Sequence, residues 1–142
     1  MSLSQAEKTL ILAFWNKASG LINTIGPQIV NRLLLAYPQL KTHFGNFNVT
    51  PGSSDLNTLG IKIITAVGGA TQHMDDLPVH LAILTDLHSL TLRIDPGNYK
   101  LMIDCIVISM AASLPQDFTA EVQNAMTNFL IIIGDILASK FC

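Results

Sequence analysis

Leu84-Thr85-Asp86-Leu87-His88-Ser89-Leu90-Thr91-Leu92-Arg93-Ile94-Asp95-Pro96-Gly97-Asn98-Tyr99 is the stretch on which the reading of this chain turns. It spells the end of an amphipathic helix carrying a single imidazole, His88, in an apolar setting. A short turn follows, and Pro96, with its fixed φ, suits the first turn of another helix. An isolated His on an apolar helix face is ordinarily a packed core residue. Ligation of a metal is the sharper alternative, and the surrounding chain has to decide between them.

Outward from that segment the pattern stays helical. No strand-like alternation recurs, and Gly and Pro punctuate a series of helical segments. Ser4-x-x-Glu7 has the form of a capping box opening a helix that runs to about Ser19 and is ended by Gly20. A second helix runs to Tyr37 and stops at Pro38. Gly26-Pro27 sits awkwardly within it, because an interior proline removes a backbone donor, so a kink or a late start near Thr24 is expected. Pro38 to His43 forms a short turn-like helix, and residues 44–52 form a loop bearing Phe44 and Phe47. Ser53 or Ser54 caps a long helix to about His73. Pro78 opens the helix of His88, Pro96 opens one ending near Ser113 before Leu114-Pro115, and Thr119 caps the last, which ends around Lys140. The fold class is all-α, with about seven helices in one domain over residues 1–142.

Composition bounds the function. The chain has 142 residues, enough for one sizeable core, and only 13% are charged, about half the usual ~25%. Eight basic residues are scattered singly and net charge is −2, which excludes a nucleic-acid footprint. Two cysteines, Cys105 and Cys142, are too few for a disulfide framework, which favours a reducing, cytoplasmic setting. No positively charged flank precedes an apolar run at the N-terminus, and no run reaches the length of a membrane span.

Read end to end, the chain resembles vertebrate haemoglobin alpha-type subunits of the globin family. The resemblance is carried by Trp15, Tyr37-Pro38, Lys41-Thr42 followed by Phe44, Asp75-Asp76 with Pro78, Cys105, Leu114-Pro115 with Phe118-Thr119, and Ser139-Lys140. Its most specific part is Leu87-His88-x-x-x-Leu92-Arg93-x-Asp95-Pro96-x-Asn98. The resemblance implies a globin fold around a haem pocket, with haem b (iron protoporphyrin IX) as cofactor and His88 as the proximal iron ligand. An axial imidazole holds and tunes haem iron, and its second nitrogen needs an acceptor such as the Leu84 carbonyl. By the same likeness Phe44 and Phe47 wedge and cover the porphyrin. Lys62, Ile63, Ala66, Val67, Leu84, Leu87, Leu92, Ile94, Asn98, Tyr99, Met102 and Leu137 match pocket-lining positions. Leu59, Ile63, Phe44 and Val30 would face the gas ligand.

Four features depart from the family pattern. Leu59 replaces the distal His, whose N–H stabilises dioxygen as charge gathers on it. Losing that bond should cost on the order of 1–3 kcal/mol, roughly ten- to a hundredfold in affinity, while carbon monoxide suffers less. Ile63 is bulkier than the usual valine and narrows the ligand space. His43 stands where the family has a tyrosine, at the haem edge near a subunit contact. The chain ends Phe141-Cys142 instead of Tyr-Arg, so charge-assisted bonds that brace the low-affinity quaternary state are missing. The subunit contacts implied by the resemblance involve Arg32, Thr42, His43, Arg93, Asp95, Pro96, Asn98, Cys105, Pro115 and Phe118, with Asp104 in place of a His. His73 and His80 read as solvated surface residues, and Ile131-Ile132-Ile133 makes the last helix apolar on nearly every side, which demands burial.

The resulting expectation is an alpha-type globin subunit, cytoplasmic in blood cells, that reversibly binds a diatomic gas with weakened stabilisation of oxygen. It would pair with beta-type chains or with itself. It is expected not to be an enzyme, beyond weak peroxidase or nitric-oxide conversion, since the distal pocket lacks an acid or base. The alternatives are a haem sensor or redox globin handling nitric oxide, carbon monoxide or peroxide, and a haem-free helical interaction protein.

Overall fold

A computed structural model describes residues 2–83 and 99–139 of the chain. Among the described residues all regular structure is helical. Six α-helices are seen: α1 (Gln5–Ala18), α2 (Ile22–Ala36), α3 (Ser54–Thr71), α4 (Leu77–Ile83), α5 (Tyr99–Ser113) and α6 (Ala120–Ser139). Two 3-10 turns, Ser19–Leu21 and Pro38–His43, join α1 to α2 and follow α2.

The helix starts obey the side chains that precede them. Ser4 N donates to Glu7 Oε1 at 2.9 Å and Glu7 N donates to Ser4 Oγ at 3.1 Å, the two bonds of a capping box. The Glu7 carboxylate also accepts from Asn128 Nδ2 at 2.9 Å, tying α1 to α6. Backbone donation from the Ser4 N–H, followed by Asn128, holds the Glu7 carboxyl below its ordinary value. Ser53 accepts from Leu56 N at 3.3 Å and Thr119 accepts from Val122 N at 3.2 Å, capping α3 and α6.

Two expectations are corrected. Gly20 does not end the first helix in a left-handed conformation. It lies inside the 3-10 turn that carries the chain into α2, and positive φ occurs instead at Gly45 (49°) and Gly52 (78°). Pro27 does not delay the second helix, which begins at Ile22 and contains the proline. Asn31 lies one turn on, and its Nδ2 donates to the Pro27 carbonyl at 2.6 Å.

Packing follows from two glycine contacts. A Cβ on Gly60 would lie 1.8 Å from the Gly26 carbonyl oxygen, so α2 and α3 cross with their backbones nearly touching. A Cβ on Gly68 would lie 1.8 Å from Trp15 Cζ2, so the α1 indole lies flush on α3. These contacts fix α3 against α1 and α2, and the adjoining part of the same stripe, with Ile63 and Val67, faces the cleft shared with α5 and α6. The core runs through all these helices, with Ile11, Ile25, Ile29, Leu33, Ile64, Met110, Met126 and Phe129 fully buried. Phe118 packs edge-on against Phe14, ring centroids 5.2 Å apart.

Candidate functional site

Three helices turn apolar stripes toward one cleft. From α3 come Ile63, Ala66 and Val67; from α5, Tyr99, Met102, Ile103 and Ile106; from α6, Leu130, Ile133, Gly134 and Leu137. The α5 and α6 sets follow the spacing i, i+3, i+4, i+7, which places each on one helix face. Leu81 of α4 completes the lining. The cavity these residues line has a volume of about 70 Å³. The lining residues are hydrocarbon apart from Met102 and Tyr99. Tyr99 is buried, and its hydroxyl has no hydrogen-bond partner among the described residues.

Beside the cleft, Leu59 stands one turn before Ile63 on α3 and is buried at 4% exposure, so hydrocarbon covers this part of the helix face. Phe44 is buried at the end of the second 3-10 turn, and Phe47 is half-buried. Their rings meet edge to face, centroids 5.9 Å apart at 71°. The loop carrying them is clamped by side chains. Asp55 Oδ2 accepts from Asn48 N at 2.7 Å, and Ser53 Oγ donates to the Asn48 carbonyl at 2.6 Å. Asn31 adds a second clamp: its Oδ1 accepts from Gly52 N at 2.7 Å and its Nδ2 donates to Asn57 Oδ1 at 2.9 Å. One amide therefore joins α2, the loop and α3.

A family model for globins, described as Globin, matches residues 28–137. The chain is a globin. It is 46% identical over 140 residues to "Hemoglobin subunit alpha-3" of Aquarana catesbeiana, covering 99% of both chains. It is 42% identical over 141 residues to "Hemoglobin subunit alpha-5" of Xenopus laevis and 41% identical over 141 residues to "Hemoglobin subunit zeta" of Homo sapiens, again at 99% of both. It is a divergent alpha-type member of the family, and its all-helical architecture is the globin fold.

In this globin the structure brings Ile63, Ala66, Val67, Tyr99, Met102 and Leu137 together on the cleft. Val30, Leu59 and Phe44 are buried in the adjoining core, while Lys62 is exposed on the outer side of α3. His88 lies outside the described residues, as do Leu84, Leu87, Leu92, Arg93, Ile94, Asp95, Pro96 and Asn98, and the terminal Lys140, Phe141 and Cys142. Sequence reasoning missed Leu81, Ile103, Ile106, Leu130, Ile133 and Gly134. Extending the helical spacing from Tyr99 and back from Leu137 would have found all but Leu81.

Of the expected contact residues, Thr42 is exposed, His43 is half-buried, and Phe118 faces this chain's own Phe14. Cys105 is a buried free thiol, and burial pushes its pKa up, with the Asp104 charge adding and Arg32 opposing. Arg32 donates to Gln28 Oε1 at 3.1 Å, and its buried Nε has no partner among the described residues. Large apolar side chains stand exposed close by in sequence, Leu35 on α2 at 80% and Ile108 on α5 at 50%. His80 is not simply solvated: its ring stacks on His73, centroids 4.2 Å apart at 11°, and its Nε2 is buried.

Proposed function

We propose that this globin holds haem b in the α3–α5–α6 cleft and reversibly binds a diatomic gas, serving oxygen carriage as an alpha-type haemoglobin subunit. The observation that carries the reading is the cleft itself, a hydrocarbon slot fed by three helix faces in a chain whose alpha-type relatives match it over nearly their whole length. A porphyrin presents a flat, mostly apolar body, and such walls fit it. When bound, haem supplies an iron atom able to take one gas molecule.

The chain's own residues do the rest. His88 is proposed as the iron's axial ligand, and the Phe44–Phe47 pair, fixed by the Asn31 and Asp55 clamps, covers the porphyrin edge. Ile63, Ala66, Met102 and Leu137 wall the cleft and exclude water. Leu59 and Ile63 line the gas side without a hydrogen-bond donor, so oxygen binding is weaker than with a distal imidazole. The chain forms one globin domain over residues 1–142. It pairs with beta-type chains or with itself through the α2–α5 surface that carries Arg32, Leu35 and Ile108 over the buried Cys105, in the cytoplasm of blood cells. Its work is carriage and not catalysis.

Haemin reconstitution tests this. Wild-type protein takes up one haemin per chain, gives an intense Soret band, and shifts its ferrous spectrum reversibly under carbon monoxide and oxygen. His88→Ala loses haemin on the order of a hundredfold faster, as expected for a removed iron ligand supported by a second shell. Colourless wild-type protein, or a variant with unchanged spectrum and retention, overturns the reading.

A further inference from the structure

The short helix α4 carries wholly buried Leu81 into the wall of the cleft. The residue before it, His80, turns toward α3. Its Nε2 and Cε1 lie 3.5 and 3.9 Å from where a Cβ on Gly69 would sit, so the ring edge rests on the α3 backbone, and Nε2 is buried. The ring face stacks on His73, just past the end of α3, with centroids 4.2 Å apart at 11°. His73 is the outer ring, its side chain 46% exposed. This seat suits an uncharged imidazole. A proton on His80 would set charge on a dry ring edge and beside a second ring that can itself charge. Little nearby offsets that charge. Asp76 Oδ1 is 3.7 Å from His73 Nδ1, but the Asp76 side chain is 58% exposed and screened by water. Lys8 of α1 is bonded to Asp75 at 2.7 Å, Asp135 of α6 lines a groove with Asp75, Leu77 and Pro78, and α3 carries no ionisable residue beyond Lys62.

We propose that the His73–His80 stack is a proton-sensitive latch between α3 and α4, closed while His80 is neutral and released when His80 takes a proton and turns its ring out to water. Release frees α4, and with it the Leu81 side of the cleft. Burial holds the His80 pKa below its ordinary 6.5, His73 pushes the same way, and Asp76 opposes both. The closed form therefore binds this proton more weakly than the open form. The latch is favoured above the ordinary imidazole range and weakens as pH falls below it. It stands on the geometry of this corner, and its consequence for cofactor retention rests on the haem reading above.

Hydrogen exchange followed by mass spectrometry, corrected for the pH dependence of the chemical step, tests the latch at pH about 7.5 and about 5.5, either side of ordinary imidazole titration. In wild type, peptides covering residues 77–83 should lose protection several-fold on acidification while those from α2 hold theirs. His80→Phe keeps a flat ring against His73 but cannot take a proton, so its α4 should stay protected at both values. His80→Gln gives up the stack as well and should exchange quickly at both, which keeps the test open if the Phe variant fails to fold. In haem-loaded protein, acidification should speed haemin loss several-fold more in wild type than in His80→Phe. An equal loss of α4 protection in wild type and the variants, no loss in wild type, or a matching loss in α2 overturns the latch. Equal acceleration of haemin loss overturns its link to the cleft. Wild type that takes up no haemin overturns the haem reading and leaves the exchange result to decide the latch by itself.

Discussion

Leu59 and His80 show how single substitutions set the character of this globin. Leu59 is 4% exposed and a turn from Ile63, so an imidazole placed there would enter the same buried face. Leu59→His should raise oxygen affinity roughly ten- to a hundredfold and slow autoxidation, with carbon monoxide affinity changed far less. Equal changes for both gases, measured by flash photolysis and equilibrium titration, would contradict a donor's role at this position. His80 acts on stability instead. Burial pushes its pKa below the ordinary 6.5, a charge on stacked His73 pushes the same way, and Asp76 opposes them. The folded protein therefore binds this proton more weakly than the unfolded chain. Stability is unaffected above about pH 6.5 and falls as pH drops below it, until the folded imidazole also protonates. Thermal melts of His80→Gln across pH 7.5 to 5 (roughly the range where an unperturbed His titrates) should be flatter than those of wild type. Unequal burial of two histidines on one corner is not legible from spacing alone, because His73 lies just beyond α3 and His80 lies within α4.

At the scale of helices, the crossing of α2 over α3 depends on Gly26 and Gly60. Gly60→Ala would drive a methyl to 1.8 Å from the Gly26 carbonyl, and backbone cannot yield as a flexible side chain can. The helices must separate, so the substitution should cost about 1–3 kcal/mol or more despite alanine's better helix propensity, read as a lowered melting temperature. Gly20→Ala is the matched control: a Cβ there meets nothing within 4 Å, and its φ is not positive, so stability should hold or rise. In the sequence these glycines look alike. Start signals were legible because each is a local pair, such as Ser4 with Glu7 or Thr119 with Val122. Gly20 does mark where α1 stops, although not as a left-handed cap, and Gly60 was passed over because a close approach depends on a partner helix 34 residues upstream. The cleft was half legible for a related reason. Its α3 stripe stands out against polar neighbours such as Lys62, whereas α6 is apolar on nearly every side. Without the anchor at Leu137, periodicity does not say that Ile133, rather than Ile131 or Ile132, is the buried one.

At the scale of the whole molecule, the question is what covers the apolar groups that folding leaves outside. Burial inside the chain accounts for Ile133, and half-burial for Ile131, Ile132 and Leu10, so the greasy last helix needs no further partner on that count. Leu35 and Ile108 are different, with most or half of their surface in solvent. They flank Arg32 and Asp104, whose charges both act on the Cys105 thiol, so α2 and α5 present apolar and charged groups on one side of the molecule. Gln28 Nε2 donates to Ser113 Oγ at 3.1 Å across the same pair of helices, fixing their relative position. Under the proposed pairing with beta-type chains or with itself, these groups are the contact between subunits. Leu35→Glu and Ile108→Glu should each lower the sedimentation mass of the haem-loaded protein at micromolar concentration, alone or mixed with a beta-type chain. Neither should change the stability of the monomer by more than about 0.5 kcal/mol, because both side chains are exposed. Val79→Glu, on α4 and 63% exposed, is the control that should leave the mass unchanged. If Val79→Glu dissociates the assembly and the other two do not, the contact surface lies on α4 instead.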